Sequence, residues 1–128
     1  MQIKRVLIAG SREFSDISLF STYLNKYLAE HTLTDYSKIK LVSGGARGAD
    51  TLAENFAKLN NIEIQIFKPD WSVGKFAGIV RNKEMSENCD IALIFWDGKS
   101  KGTENMISLL NKKNIPTQIK YISADGKR

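Results

Sequence analysis

The sequence predicts an α/β protein, a three-layer sandwich in which a mostly parallel five-stranded sheet lies between two layers of helices. Short segments of apolar or alternating character, typical of strands, take turns with longer segments whose apolar residues recur at helical spacing. The order is strand then helix, repeated four times, followed by a last strand. Because this order needs crossover connections, we expect parallel strands with helices on both faces.

Some segments show a clear strand or helix pattern, and others show a weaker one. The first and fourth strands become continuous apolar runs, typical of buried strands in a parallel sheet, whereas the third strand alternates strictly. Ser15 and Asp16 are suited to cap the first helix, and the third helix is the least regular. The predicted strands are residues 3–9, 38–42, 62–67, 90–96 and 115–122. The predicted helices lie at about 17–28, 51–60, 72–88 and 104–113.

Length and composition predict one domain, residues 1–122, followed by a short basic tail at residues 123–128. The chain has 128 residues, of which 42% are hydrophobic and 26% charged, and this is enough apolar mass for one core. We expect neither a signal peptide nor a membrane segment, and the single cysteine favours the reducing cytoplasm. Cys89 precedes an apolar strand, so we expect a buried structural thiol there rather than a nucleophile.

The net charge of +5 favours an anionic partner, but its pattern does not favour a polymer. The lysines are scattered along the chain, and no dense basic arm with interleaved aromatic residues is visible apart from Lys127 and Arg128 at the end. Nucleic acid is therefore not the favoured partner, and a small phosphorylated ligand is.

The most informative stretch is residues 43–50 (SGGARGAD), between the second strand and the second helix. Its glycines allow a sharp turn and let another molecule approach bare amide groups. The start of the following helix presents free N–H groups and a partial positive charge, which suit a phosphate. Arg47 adds a fixed cation, and Asp50 is placed either to cap the helix or to accept hydrogen bonds from a ribose.

Polar and glycine-rich residues follow three further strands of the predicted sheet, at residues 10–12, 69–71 and 97–103. Since the carboxyl ends of parallel strands share one edge of a sheet, all four segments are expected to meet there and form a site for a phosphate-containing ligand. The candidate ligand-binding residues are Gly10, Ser11, Arg12, Ser43, Gly44, Gly45, Arg47, Gly48, Asp50, Asp70, Trp71, Arg81, Asn82, Asp97, Lys99, Ser100, Lys101, Gly102 and Thr103.

Several of these residues also have a purely structural interpretation. The arginines and lysines could be solvated, the hydroxyl groups could cap helices, and Arg81 could form an internal ion pair. Trp71 and Phe14 could stack on a base or pack against the protein, whereas core packing is favoured for Trp96 because it ends the most apolar strand.

Four motifs together resemble the YspA-like branch of the SLOG superfamily, which unites DNA-processing protein A with the lonely-guy nucleotide phosphoribohydrolases. They are GSR at residues 10–12, SGGARGAD at 43–50, AGxxRNxxM at 77–85 and WDGKSKGT at 96–103. The resemblance covers about residues 3–122. It implies a Rossmann-like fold with a pocket for nucleotides or nucleotide-derived molecules, and a homodimer like those that relatives commonly form. Independently of the resemblance, we expect no cofactor and no metal site, because the single histidine, His31, has no second histidine or cysteine beside it.

The same resemblance frames the question of catalysis. The lonely-guy enzymes share an Arg followed four residues later by Met, here Arg81 and Met85, and a Gly-Thr turn with a catalytic Glu three residues after the Thr. Here the third residue after Thr103 is Met106, and the nearest carboxylate is Glu104. Because two positions of shift turn a helical side chain by about 200°, Glu104 does not simply substitute for it.

Three functions therefore remain open at this point. The favoured one is binding of a nucleotide or nucleotide-derived phosphorylated molecule, as a sensor, carrier or sponge. The second is hydrolysis of the N-glycosidic bond of nucleoside monophosphates, with Arg81 and Glu104 as candidate catalytic residues. The other carboxylates at the same edge that could serve are Asp50, Asp70 and Asp97. The third is binding of single-stranded nucleic acid.

Overall fold

The computed structural model describes residues 2–123 and contains five β-strands within that range. They are β1 (Lys4–Gly10), β2 (Ile39–Ser43), β3 (Glu63–Ile66), β4 (Ile91–Trp96) and β5 (Thr117–Tyr121). All five pair in parallel, in the order β3-β2-β1-β4-β5. The α/β Rossmann-like prediction is confirmed, and the sheet is wholly rather than mostly parallel. Apart from Ser123, the tail predicted at residues 123–128 lies outside the described residues.

The helices connect the strands as crossovers. They are α1 (Ile17–Glu30), α2 (Ala49–Leu59), α3 (Ala77–Ser86) and α4 (Lys101–Lys112), with 3₁₀ turns at Tyr36–Lys38 and Trp71–Val73. Helix α1 begins where it was predicted, because the Oδ1 atom of Asp16 accepts a hydrogen bond from the amide of Leu19 at 3.0 Å. None of the helices formed by residues 2–123 is both long enough and apolar enough to traverse a bilayer.

The strand order determines where a ligand can enter. From β1 the chain moves outward through β2 to β3, then crosses back over the sheet to β4 and continues to β5. The order therefore reverses between β1 and β4, and in parallel sheets a crevice opens at such a point beyond the carboxyl ends of the strands.

Alternating side chains of the central strands supply a core on each face of the sheet. On one face Val6 and Ile8 pack with residues of α1 and α2, and on the other Leu7 packs with Met85, Cys89 and residues of α4. The prediction that Cys89 is buried is confirmed, since 4% of the residue is exposed. The helices therefore cover both faces of the sheet.

Two helix predictions were wrong in their boundaries. Residues 72–88 do not form one helix, because Gly74, with φ of +97°, ends the 3₁₀ turn before α3 begins. Helix α4 starts three residues before the predicted position, because the Asp97 side chain accepts hydrogen bonds from the amides of Lys99 and Ser100 and turns the chain early. Gly102 and Thr103 therefore lie in the first helical turn rather than in a loop.

Candidate functional site

Two adjoining cavities open at the carboxyl edge of the sheet, and both are lined by residues of the strand exits. The first, here called the inner cavity, has a volume of about 70 Å³. It is lined by Ala9, Gly10, Arg12, Ala46, Asp50, Arg81, Asn82, Met85, Ser100, Gly102, Thr103 and Met106. The second, here called the outer groove, has about 460 Å³ and is lined by Arg12, Gly45, Ala46, Arg47, Lys68, Pro69, Trp71 and Arg81.

Asp50 is the one carboxylate among the residues that line either cavity. It lies in the first turn of α2 and is 7% exposed. Its Oδ2 atom accepts a hydrogen bond from the amide of Ala46 at 3.1 Å, whereas Oδ1 is buried without a hydrogen-bond partner within residues 2–123. Burial raises the pKa of Asp50 to about 6, although the Ala46 amide and the charge of Arg81 oppose this shift.

The glycine-rich turn before α2 uses its own side chains to satisfy its amides. Besides the Ala46 amide, the amide of Gly45 donates to the Oγ atom of Ser43 at 3.4 Å. Ser43 is fully buried, and its hydroxyl in turn donates to the carbonyl oxygen of Asp50 at 3.4 Å. The turn thus holds its shape through internal hydrogen bonds, and the amides of Gly45 and Ala46 already have acceptors.

Gly48 brings this turn into direct contact with the turn that follows β1. Its φ is +82°, and a Cβ atom at this position would overlap the carbonyl oxygen of Ser11 and the backbone of Arg12. Only glycine combines this conformation with so close an approach. The contact fixes the backbone from which the Arg12 side chain extends along both cavities.

Arg81 joins the glycine-rich turn to α3. Its Nη1 atom donates to the carbonyl oxygens of Gly44 and Phe67, and its Nε atom donates to Oδ1 of Asn82 at 3.0 Å. Burial lowers the pKa of Arg81, the nearby charge of Asp50 raises it, and that of Arg12 lowers it further. Arg81 therefore forms part of both cavity walls while most of its donors are used within the protein.

The opposite wall of the inner cavity is formed by the start of α4. Asn82 donates through Nδ2 to the carbonyl oxygen of Gly102 at 3.1 Å and to Oδ1 of Asn105 at 3.0 Å. Thr103 donates to the Oγ atom of Ser100 at 3.2 Å. These bonds tie α3 to the first turn of α4, so this wall is held rigidly.

Met106 faces the inner cavity at the position where a lonely-guy enzyme would carry its catalytic Glu. It is buried in the apolar cluster that also contains Met85. Glu104 lines neither cavity, and its carboxylate lies 3.7 Å from the Nζ atom of Lys101 on the exposed side of α4. The inner cavity is therefore apolar where that family places a carboxylate.

The outer groove is lined by cations and one aromatic ring. Arg12, Lys68 and Arg81 face it together with Arg47, which also pairs with Glu13 at 2.5 Å. Within residues 2–123, Arg12 forms no ion pair. Lys68 was not among the predicted site residues, although it lies two residues after the end of β3 and so at a strand exit like the others.

The aromatic predictions had different outcomes. Trp71 is 61% exposed and lines the outer groove. Of the two interpretations of Phe14, the structure supports packing against the protein, because its ring is fully buried and stacks on Phe95 with 4.9 Å between centroids. Trp96 is partly buried beside Tyr121, and its Nε1 atom donates to the carbonyl oxygen of Ser100 at 3.1 Å.

The remaining predicted residues line neither cavity. The hydroxyl of Ser11 accepts a hydrogen bond from the amide of Asp97 at 3.2 Å, and Asp70 caps the 3₁₀ turn by accepting from the amide of Ser72 at 3.1 Å. These interactions hold the loops beside the cavities in shape. The predicted residues that line neither cavity are Ser11, Ser43, Gly44, Gly48, Asp70, Asp97, Lys99, Lys101 and Glu104.

Comparison with known proteins agrees with this architecture. The Gene 61 protein of Mycobacterium phage D29 is 35% identical over 121 residues, which cover 89% of this chain and 94% of that protein. DNA processing protein A from Streptococcus pneumoniae has a similar structure, with a TM-score of 0.74 and 17% identity. The match covers 97% of this chain but 53% of that one, so the chain spans about half of its length, and at this identity the likeness shows the fold alone.

A family model locates the relationship in the first part of the chain. The model of the YspA, cpYpsA-related SLOG family (YAcAr) matches residues 4–74. This range includes β1 to β3, the glycine-rich turn and the 3₁₀ turn at Trp71–Val73, and with them most residues of the outer groove. The chain belongs to the YspA, cpYpsA-related SLOG family.

Proposed function

We propose that this protein binds a nucleotide or a nucleotide-derived phosphorylated small molecule at the carboxyl edge of its sheet, as a sensor, carrier or sponge. Membership in the SLOG family suggests a nucleotide-related function. The observation that carries the proposal is the pair of adjoining cavities, one small and lined by both polar and apolar residues, the other larger and lined by Arg12, Arg47, Lys68 and Arg81.

The arrangement of charges supports an anionic ligand. Arg12 and Arg81 line both cavities, and the charge of Arg12 lowers the pKa of Arg81, so the two cations repel each other. An anion placed between them would replace this repulsion with two attractions. Guanidinium groups bind phosphate oxygens in bidentate geometry, and hydrogen bonds to charged groups contribute about 1.5–3 kcal/mol each.

The size and lining of the outer groove suit the rest of a nucleotide. Its volume of about 460 Å³ lies within the range of about 300–1,000 Å³ that is usual for small-molecule sites. The exposed ring of Trp71 offers a flat surface on which a base can stack, an interaction worth about 1–3 kcal/mol per base in nucleic-acid complexes.

The experiment begins with native mass spectrometry of freshly purified protein, to look for a co-purified phosphorylated compound. Titration calorimetry with ribonucleoside 5′-mono- and triphosphates and ribose 5-phosphate follows. Arg12→Ala should weaken binding about tenfold without changing the melting temperature, because this arginine forms no ion pair within residues 2–123. Lys26→Ala, an exposed cation of α1 away from both cavities, is the matched control.

The outcome that contradicts the proposal is equally clear. If no compound co-purifies and none of the phosphates tested binds, the cavities do not serve a nucleotide. If binding occurs but Arg12→Ala and Lys26→Ala behave alike, the ligand lies elsewhere on the protein.

A second candidate function is hydrolysis of an N-glycosidic bond, and Asp50 is the observation that favours it. A buried carboxylate with a pKa near 6 can serve as a general acid or base at neutral pH. The measurement is release of free base from each ribonucleoside monophosphate by the wild-type protein. Release supports hydrolysis, and binding without release leaves the binding function alone.

A further inference from the structure

We propose that the inner cavity selects the ligand by a hydroxyl group that donates a hydrogen bond to Oδ1 of Asp50, while the phosphate lies in the outer groove. This inference rests on the proposed function and adds the orientation of the ligand and the residue that sets its specificity. The hydroxyl-bearing part is the sugar of a ribonucleotide.

The first argument is the unused acceptor. Asp50 is 93% buried, lines the inner cavity, and leaves Oδ1 without a hydrogen-bond partner within residues 2–123. A buried polar atom without a partner costs about 1–3 kcal/mol, and more when it is charged. Because Oδ2 accepts the hydrogen bond from the amide of Ala46, Oδ1 is the oxygen of this carboxylate that is left without a donor. A ligand hydroxyl is a donor of suitable size for a cavity of about 70 Å³.

The second argument concerns where a phosphate can go. The amides of Gly45 and Ala46, in the glycine-rich turn before α2, already donate to Ser43 and Asp50, so they are not free to bind a phosphate. The Asp50 carboxylate also lines the inner cavity and would repel a phosphate placed there. No carboxylate lines the outer groove, where Arg47 and Lys68 add positive charge.

The charges around Asp50 are consistent with this orientation. Arg12 and Arg81 line both the inner cavity and the outer groove and so mark the junction between them. A ribose 5-phosphate unit that enters with its sugar hydroxyls first would place its phosphate at this junction or beyond it. Glu54, on the same helix as Asp50, adds negative charge near the inner end and disfavours an anion there further.

The test compares ligands that differ only in their hydroxyl groups. Adenosine 5′-monophosphate and its 2′-deoxy, 3′-deoxy and 2′,3′-dideoxy counterparts are titrated calorimetrically into the wild-type protein, together with the same series for the other bases. The wild type should bind at least one ribonucleotide about 10- to 100-fold more tightly than its dideoxy form, the factor expected for a hydrogen bond to a charged group. This comparison needs no variant, so it stands whether or not a mutant folds.

Two variants then assign the preference to a residue. In Asp50→Asn a neutral amide replaces the charged acceptor. The ribonucleotide should then bind only a few times more tightly than its dideoxy form. Glu54→Gln is the matched control, because it removes a nearby negative charge that lines neither cavity, and it should keep the full preference.

The outcomes separate this inference from the function on which it rests. If wild-type protein binds ribonucleotides and their dideoxy forms equally, the role of Asp50 is overturned and the proposed function stands. If Asp50→Asn keeps the full preference, another residue reads the hydroxyl and the inference is again overturned. If no ribonucleotide binds at all, both proposals are wrong.

Discussion

The inner cavity and the outer groove lie side by side at one edge of the sheet, yet they are built by different means. The inner cavity is lined mostly by short or buried side chains, with Arg12 and Arg81 at its border to the outer groove, and it contains the buried Oδ1 atom of Asp50, which has no hydrogen-bond partner within residues 2–123. The outer groove is formed by long cationic side chains and an exposed Trp71. If a ligand binds as proposed, the inner cavity supplies selectivity through a fixed acceptor and the outer groove supplies attraction through charge.

The two regions also differ in what holds them. The inner cavity depends on the contact at Gly48, on Arg81 bound to backbone carbonyls, and on Asn82 bound to the first turn of α4. The outer groove has few such restraints, since Arg12 and Arg47 project from turns into solvent. Changes to the inner cavity should therefore alter stability as well as binding, whereas changes to the outer groove should alter binding alone.

The largest expected effect is a change in the pH dependence of stability in Asp50→Asn. Burial raises the pKa of Asp50 from 3.8 to about 6, so between these values the folded protein binds more protons than the unfolded chain. The contribution of Asp50 to the free energy of unfolding is therefore most favourable below about pH 4. It falls by about 3 kcal/mol as the pH rises from about 4 to about 6.

The measurement is the free energy of unfolding of both proteins from pH 4 to pH 8. Relative to the wild type, Asp50→Asn should gain stability across pH 4–6 and remain at least as stable at pH 8. A stability difference that does not change with pH would show that the Asp50 carboxylate is not strained by its burial. Glu54→Gln again serves as the control: its stability relative to the wild type should change less with pH than that of Asp50→Asn.

The next largest effect is expected for Arg81→Ala, which removes a component of both regions. Loss of the donors to Gly44 and Phe67 leaves two carbonyl groups short of a partner, and the unfolding free energy should fall by about 2 kcal/mol. The pKa of Asp50 should rise further, because Arg81 lowers it. Denaturant unfolding at pH 7 measures the first effect, and Arg81→Lys should recover part of it; equal stability of all three proteins would contradict the structure of the turn.

The smallest effect is expected for Arg47→Ala, which changes only the outer groove. Its side chain is 70% exposed and already pairs with Glu13, so ligand affinity should fall by about twofold and stability should not change. The loss should shrink as salt is raised, because exposed charges are screened. Calorimetric titrations at low and high salt test this, and a tenfold loss at high salt would place Arg47 in a buried contact.

The sequence predicted the edge of the sheet at which these regions lie, because glycines and cations follow successive strands. Arg12, Asp50 and Thr103 come from separate strand exits and line the same cavity. What the sequence did not reveal is which groups are used internally. Nothing in the spacing of residues 43–50 shows that the Asp50 side chain binds the amide of Ala46, since this depends on how the turn closes.

Two further differences have the same origin. Phe14 follows Arg12 closely, but the chain turns between them and sends the ring into the core, where it meets Phe95. Lys68 was overlooked because a single lysine after a short strand has no motif around it, and only the fold brings it beside Arg12. Local pattern predicts elements and edges, whereas the direction of a side chain in a turn depends on the tertiary structure.

Cys89 gives this chain a built-in reporter. It packs in the same apolar cluster as Met85 and Met106, which line the inner cavity, and burial raises the pKa of its thiol to about 11. In the closed structure a thiol reagent has little access to the sulfur, and the raised pKa keeps the thiol protonated and therefore unreactive. Alkylation should therefore occur mainly when this corner between α3 and β4 opens. The rate at which the single cysteine is alkylated therefore reports how often the corner opens, and no cysteine has to be introduced for the measurement.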